Sequence, residues 1–240
     1  VGSNYLSARG EKLSGSADTA AACWHPSPNF GPRRDGLTPS LIVIHYTAMA
    51  SASAALQRLC DPSFEVSAHY LIGGDGTCWQ MVAESQRAWH AGAGEWNGQD
   101  DINSRSIGIE LDNLGNHPFS EPQMARLEEL LVDIMTRWAI PSENVIGHSC
   151  MAPGRKHDPG PHFDWARLAA QSLAIPGGHG SAPQNAAEQM QVFRSLAQRR
   201  GFTADVDDET LLQAVRLRFR SAGKGPLAPE DFSVLGDGTC

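Results

Sequence analysis

Residues 41–46 read LIVIHY, and this stretch decides the architecture. Six apolar or β-favouring residues without polar alternation predict a strand buried on both faces, which belongs at the centre of a sheet covered by helices. The segment before it, HPSPNFGPRRDGLTP at 25–39, is dense in Pro and Gly and reads as irregular chain leading into the fold. Further strand candidates follow at 69–73 (HYLIG), 78–82 (CWQMV), 106–112 (SIGIELD) and 144–148 (NVIGH). GGDGT, between the first two, supplies a tight turn with positive φ, so those two form a hairpin.

Residues 121–138 predict a helix, because Met124, Leu127, Leu130, Leu131, Ile134 and Trp138 recur at steps of three and four. Ser120 caps its first turn with Gln123 at capping-box spacing, and Pro122 sits where a missing N–H is harmless. Asp164 is placed to cap a second helix over 165–173. Beyond a linker at 177–185, the segments 186–201 and 207–220 are amphipathic with helical period. A small helical tail over 186–240 buries too little surface to stand alone and is expected to dock on the larger domain. The expected organisation is a flexible N-terminal segment at 1–23, a main domain at 24–176, the linker and the tail. The fold class is α/β (α+β), with a mixed central sheet flanked by helices.

Composition narrows the function. Of 240 residues 41% are hydrophobic, which excludes a disordered chain, and no apolar run approaches the ~20 residues of a membrane span. A net charge of −8 argues against a nucleic-acid partner, which wants clustered Lys and Arg. The five cysteines are scattered without a C-x-x-C, so they form neither a disulfide framework nor a thiolate zinc site, and they favour a reducing compartment. Residues 1–22 lack the apolar stretch of a secretory signal. Cytoplasmic residence is the expectation for the chain as given, and the cell envelope if an upstream signal was removed, since numbering starts at Val1.

His45 stands at the C-terminal end of the buried strand and His148 at the end of another, with Asp158 ten residues later in a loop too rich in Pro and Gly to be helical. Two imidazoles and a loop carboxylate could fill three corners of a tetrahedron, leaving the fourth to water, as a catalytic zinc requires. Structural, hydrogen-bonded histidines are the competing reading, and the chain has nine histidines. In SIGIELD the period of two puts Glu110 opposite Ile107, Ile109 and Leu111. Glu110 is either a partly desolvated acid–base group or a solvated edge charge. Lys156 could reach a developing oxyanion or be an ordinary surface lysine. Trp89, His90 and Trp96 are candidate walls of a substrate groove, although tryptophan is also a common core residue.

LIVIHYTA at 41–48, SAHYLIGGDG at 67–76, AWHAG at 88–92, NSRSIGIEL at 103–111 and GHSCMAPGRKHDPGPHFDW at 148–165 occur in that order. Together they resemble the type 2 N-acetylmuramoyl-L-alanine amidases, the AmpD-like zinc family that shares its fold with peptidoglycan recognition proteins and the T7-type lysozyme. The resemblance implies a zinc ion at the sheet edge held by His45, His148 and Asp158, with Glu110 as general base and Lys156 stabilising the oxyanion. It implies hydrolysis of the amide between N-acetylmuramic acid, or its 1,6-anhydro form, and L-alanine of the stem peptide. Peptidoglycan or muropeptides are then the partner, one zinc per chain the cofactor, and a monomer the expected state. Tyr46, Trp89 and His90 are the expected substrate contacts.

The T7-type branch has Cys where Asp158 stands and Tyr where Ala68 stands, which sets this chain on the AmpD side. Tyr46 matches the HYTA of the AmiD-type branch, where AmpD has Asn. Cys150 replaces a residue that is commonly Asp and puts hydrogen bonding near His148 in question. The tail, with AVRLRFR and a later GPLAPED, resembles the small peptidoglycan-binding module that follows AmiD-type domains. The rival reading is a non-catalytic peptidoglycan-binding module, disfavoured because all three ligands, Glu110 and Lys156 are present.

Overall fold

In the computed structural model, which describes residues 15–236, LIVIHY is a strand over the full stretch expected. The strands are β1 (Cys23–Trp24), β2 (Phe30–Gly31), β3 (Leu41–Tyr46), β4 (Tyr70–Ile72), β5 (Cys78–Gln80), β6 (Arg87–Ala88), β7 (Ser106–Leu111) and β8 (Val145–Gly147). The helices are α1 (Ala52–Cys60), α2 (Ile102–Arg105), α3 (Glu121–Trp138), α4 (His148–Met151), α5 (Trp165–Ala170), α6 (Gln189–Arg199), α7 (Asp208–Phe219) and α8 (Pro229–Ser233). Six strands form one mixed sheet in the order β1-β5-β4-β7-β3-β8, while β2 and β6 pair separately. β3 lies between β7 and β8 and runs parallel to both, and β4 is parallel to β7. The GGDGT hairpin joins β4 to β5, closed by the Gly73 N–H on the Thr77 carbonyl.

The two faces of β3 bury different partners. Ile42 and Ile44 pack with Ile107, Ile109 and Leu111 of β7 against Met124, Leu127, Leu130, Leu131 and Ile134 of α3. Leu41 and Val43 point the other way and, with Ile146 of β8, meet Phe193, Leu196, Leu211, Leu212, Val215 and Phe232 of the C-terminal helices. The tail is therefore part of the core that covers the sheet, and its helices complete what β3 and β8 leave apolar. Further along the same face, Ala55, Leu56 and Leu59 of α1 cover Leu71 of β4. Between α1 and the tail helices, the carboxyl ends of β3 and β7 are left uncovered on this face. In sheets with parallel strands, that end is where ligand sites form.

The local sequence explains most element limits and corrects several expectations. α3 starts at Ser120, whose Oγ accepts from the Gln123 N–H. The Gln123 side chain does not close a capping box; its Nε2 donates to the carbonyls of Ile72 and Asp112, tying α3 to the ends of β4 and β7. Asp164 caps α5 through the Arg167 N–H, and the helix stops at Ala170 because Ser172 turns left-handed, with φ of 59°. α1 has no counterpart in the sequence expectations, though Ser51 caps it and Leu56 and Leu59 line its inner side. The N-terminal segment lies outside the described residues over 1–14. From Asp18 onward it is held, with the Asp18 carboxylate accepting from Gln80 and from the Glu84 N–H and Thr19 donating to Asp133. Gly178 and Gly180 of the linker donate to the carbonyls of Val234 and Ser233 beside α8. Among the described residues no helix is long and apolar enough to cross a membrane.

Candidate functional site

Strand register brings the first pair together. His45 and Glu110 face one another across β3 and β7, each near the carboxyl end of its strand and on the side left open between α1 and the tail. His148 follows β8 directly, but as the first residue of a helical turn rather than the last of a strand. The Pro and Gly that argued against helix begin only at Pro153, after the Ala152 N–H has bonded to the His148 carbonyl. The loop then returns, and the Ser149 N–H on the Asp158 carbonyl at 2.9 Å draws Asp158 back beside His148.

His45, His148 and Asp158 are all buried, and each turns one atom to a common point. His45 Nδ1 is 2.9 Å from both His148 Nδ1 and Asp158 Oδ2, and His148 Nδ1 is 3.0 Å from Asp158 Oδ2. His148 Nε2 is 2.9 Å from the Ala91 carbonyl, which can only accept, so Nε2 carries a proton and in the neutral ring Nδ1 is the bare lone pair. Burial, with His148 adding to it, pushes the His45 imidazole down to about 4, so it is neutral near pH 7. Burial opposes ionisation of Asp158 too, but its two imidazole partners outweigh it and hold the carboxyl well below the usual range. An anionic oxygen and two imidazole lone pairs crowded at this spacing repel unless a cation lies among them. The triangle is small enough for one ion at the ~2.0–2.1 Å bond lengths of zinc to touch all three.

Glu110 sits beside this triad as a partly exposed residue whose Oε2 is buried without a hydrogen-bond partner. Burial, and then the Asp158 charge, push its carboxyl up to about 8, against the opposing pull of Lys156. An unpaired buried carboxylate oxygen is costly, and it is the kind of group kept for proton transfer. Lys156 is half-buried in the same cleft, a space of about 400 Å³ that also takes in Tyr46, Trp89, His90, Arg58, Ser67 and Arg155. The Tyr46 ring lies against two glycines, where a Cβ on Gly115 or Gly160 would come within 2.8 or 3.2 Å of it.

Two sequence-stretch expectations fail here. Trp96 is not a groove wall: it is 4% exposed and packs edge-on against Phe202 of the tail. Cys150 faces the apolar cluster under α7, not the triad, and burial pushes its thiol up to about 11. Arg58, Ser67 and Arg155 line the cleft without having been expected there. Arg58 belongs to α1, so recognising the Ser51 cap and the Leu56/Leu59 spacing would have found it.

Comparison with known proteins agrees with this geometry. A family model described as N-acetylmuramoyl-L-alanine amidase matches residues 35–161, a span that contains the triad, Glu110 and Lys156. The chain is 35% identical over 209 residues to N-acetylmuramoyl-L-alanine amidase AmiD of Escherichia coli K12, covering 75% of this chain and 74% of that one. It is 36% identical over 171 residues to 1,6-anhydro-N-acetylmuramyl-L-alanine amidase AmpD of Citrobacter freundii, covering 64% of this chain and 90% of the relative. Among solved structures, E. coli AmiD in complex with the substrate anhydro-N-acetylmuramic acid-L-Ala-D-γ-Glu-L-Lys superposes with a TM-score of 0.73 at 29% identity, over 97% of this chain and 95% of that one. That superposition spans the C-terminal helices as well as the sheet, and with the matched motifs it makes this chain a member of the N-acetylmuramoyl-L-alanine amidase family.

Proposed function

We propose that the protein hydrolyses the amide between the lactyl carbonyl of N-acetylmuramic acid, in its ordinary or 1,6-anhydro form, and L-alanine of the peptidoglycan stem peptide, using zinc. The observation that carries this reading is the convergence of His45, His148 and Asp158 beside an unpaired oxygen of Glu110. Bound there, zinc supplies Lewis acidity, polarising a carbonyl and lowering the pKa of water towards ~7. Glu110 takes a proton from the attacking water and delivers it to the amine nitrogen as the C–N bond breaks, leaving a carboxylate on the lactyl group and a free L-alanine amine. Lys156, which lines the same cleft, stabilises the negative charge that builds on the carbonyl oxygen. Tyr46 and Trp89 line the cleft that orients the sugar and peptide. No side-chain nucleophile is required, and Ser149, buried in α4, is not among the cleft residues.

The test is mass spectrometry of products after incubation with intact sacculi and, separately, with anhydro-muropeptides, with and without a chelator. Free stem peptides should appear, vanish on chelation and return with added zinc. Zinc binding without cleavage of either substrate would overturn the proposal. Lys156→Ala should lower kcat/KM by about 10²–10³, the usual cost of removing one oxyanion stabiliser, with zinc content unchanged. Equal rates for that variant and the parent would take Lys156 out of the mechanism.

A further inference from the structure

Both imidazoles of the triad are held from behind by the same dipeptide, His90–Ala91. The Ala91 carbonyl takes the proton of His148 Nε2 at 2.9 Å. The His90 ring meets the other ligand, with His90 Nδ1 3.0 Å from His45 Nε2. Which of these two nitrogens carries the proton follows from a chain of contacts that ends at a carbonyl. Ser106 Oγ is 2.6 Å from the Ile102 carbonyl, which can only accept, so the hydroxyl proton is committed there. Ser106 Oγ therefore accepts at its other contact, from His90 Nε2–H at 3.2 Å. That leaves His90 Nδ1 without a proton, so it accepts from His45 Nε2–H. His45 Nδ1 is then bare and faces the common point.

The dipeptide is itself anchored. Asn103 Oδ1, on a side chain that is almost wholly buried, accepts both the His90 and the Ala91 backbone N–H, at 3.0 and 2.9 Å. Gly108 makes room for the ring, since a Cβ there would lie 2.5 Å from the nearest His90 ring atom. Asn103 lies in α2, which runs directly into β7, and Ser106 and Gly108 lie in β7 itself, the strand that carries Glu110. We infer that His90–Ala91, clamped by Asn103 and proton-ordered by Ser106, is a positioning element that presets both ligand imidazoles with the proton on Nε2 and Nδ1 free for the metal. His90 is thus assigned to orienting His45 rather than to gripping substrate. The inference rests on the zinc reading above, and its test separates the two.

Partners behind metal-bound histidines typically contribute 10–100-fold in metal affinity. His90→Phe keeps the ring's bulk and strands the His45 proton. Ser106→Ala frees the His90 proton to move to Nδ1, which would drive the His45 proton onto the nitrogen the metal needs. Each should weaken zinc binding about 10–100-fold in a chelator-competition titration and alter the visible spectrum of the cobalt(II) form. His90→Asn, which places an amide oxygen near the former Nδ1, should recover most of the affinity. In metal-free wild-type protein, ¹H–¹⁵N correlation of the imidazoles should find His45 and His148 protonated at Nε2. Wild-type protein that binds no zinc would sink the metal reading itself. Zinc binding by wild type, with unchanged affinity in both variants or with His45 protonated at Nδ1, would overturn this inference alone.

Discussion

Glu110→Gln should lower kcat/KM by about 10²–10⁴, the range supplied by a positioned acid–base group, while zinc content stays at the wild-type level. Gln preserves the volume and the strand register opposite His45 but cannot take a proton from water. Glu110 is not one of the three atoms that converge on the metal point, so its loss should not empty the site. A variant that keeps wild-type rates would remove Glu110 from the chemistry, and one that also loses zinc would make it a ligand.

The same carboxyl gives a pH signature in protein stripped of metal. Its folded-state value of about 8 lies well above that of an unfolded glutamate, so the native state holds a proton that the unfolded state has released. Stability therefore falls as pH rises from the unfolded value through about 8, and levels off above it. The buried imidazoles of His45 and His69, pushed down to about 4 and about 3, and of His90, pushed well down by burial, act in the opposite sense while their unfolded counterparts titrate around ~6.5, and that contribution is common to wild type and Glu110→Gln. The difference between wild type and Glu110→Gln isolates the Glu110 slope, at about 1–2 kcal/mol between about pH 6.5 and 8. Urea unfolding of chelator-treated protein should show the stability of wild type falling relative to Glu110→Gln by this amount as pH rises from about 6.5 to 8. Parallel curves would mean that Glu110 ionises normally in the fold.

What could be read from the residues depended on where the information lay. LIVIHY and the 121–138 helix coincide with the structural elements because each is dominated by one strong signal, an unbroken β-favouring run and an amphipathic period. The triad was only suggested by side chains at strand ends and in a loop full of Pro and Gly, with structural histidines left open, and the resemblance of the five ordered motifs selected it. The groups that hold the triad were not legible, because two of them are backbone carbonyls, of Ala91 and Ile102, and a carbonyl leaves no mark in a sequence. Asn103 and Ser106 do leave a mark, but in NSRSIGIEL they read only as polar residues ahead of a strand. Gln123 misled for a related reason: its spacing from Ser120 fits a capping box, and only tertiary structure supplies the better acceptors at Ile72 and Asp112.

Asp231→Ala should destabilise the protein by about 3–5 kcal/mol, the cost of leaving a buried charge without its partner. Arg216 is 2% exposed and Asp231 fully buried, and they meet through two hydrogen bonds of 2.9 and 2.6 Å. Asp231 also accepts from Arg220 and from the Ala228 N–H that opens α8, so its removal frees four donors at once. For a chain of this size the loss corresponds to roughly 6–20 °C in Tm. Arg216→Met combined with Asp231→Leu should cost far less, because an apolar pair leaves no charge stranded. The effect should also reach the metal site. α7 carries Arg216, and its apolar side packs on Cys150 and Met151 of α4, the turn that begins with His148. Loosening α7 removes the support under that turn, so zinc affinity should fall along with Tm in Asp231→Ala and recover in the double variant. A drop in Tm with zinc affinity intact would mean that the tail covers the sheet without bracing the site.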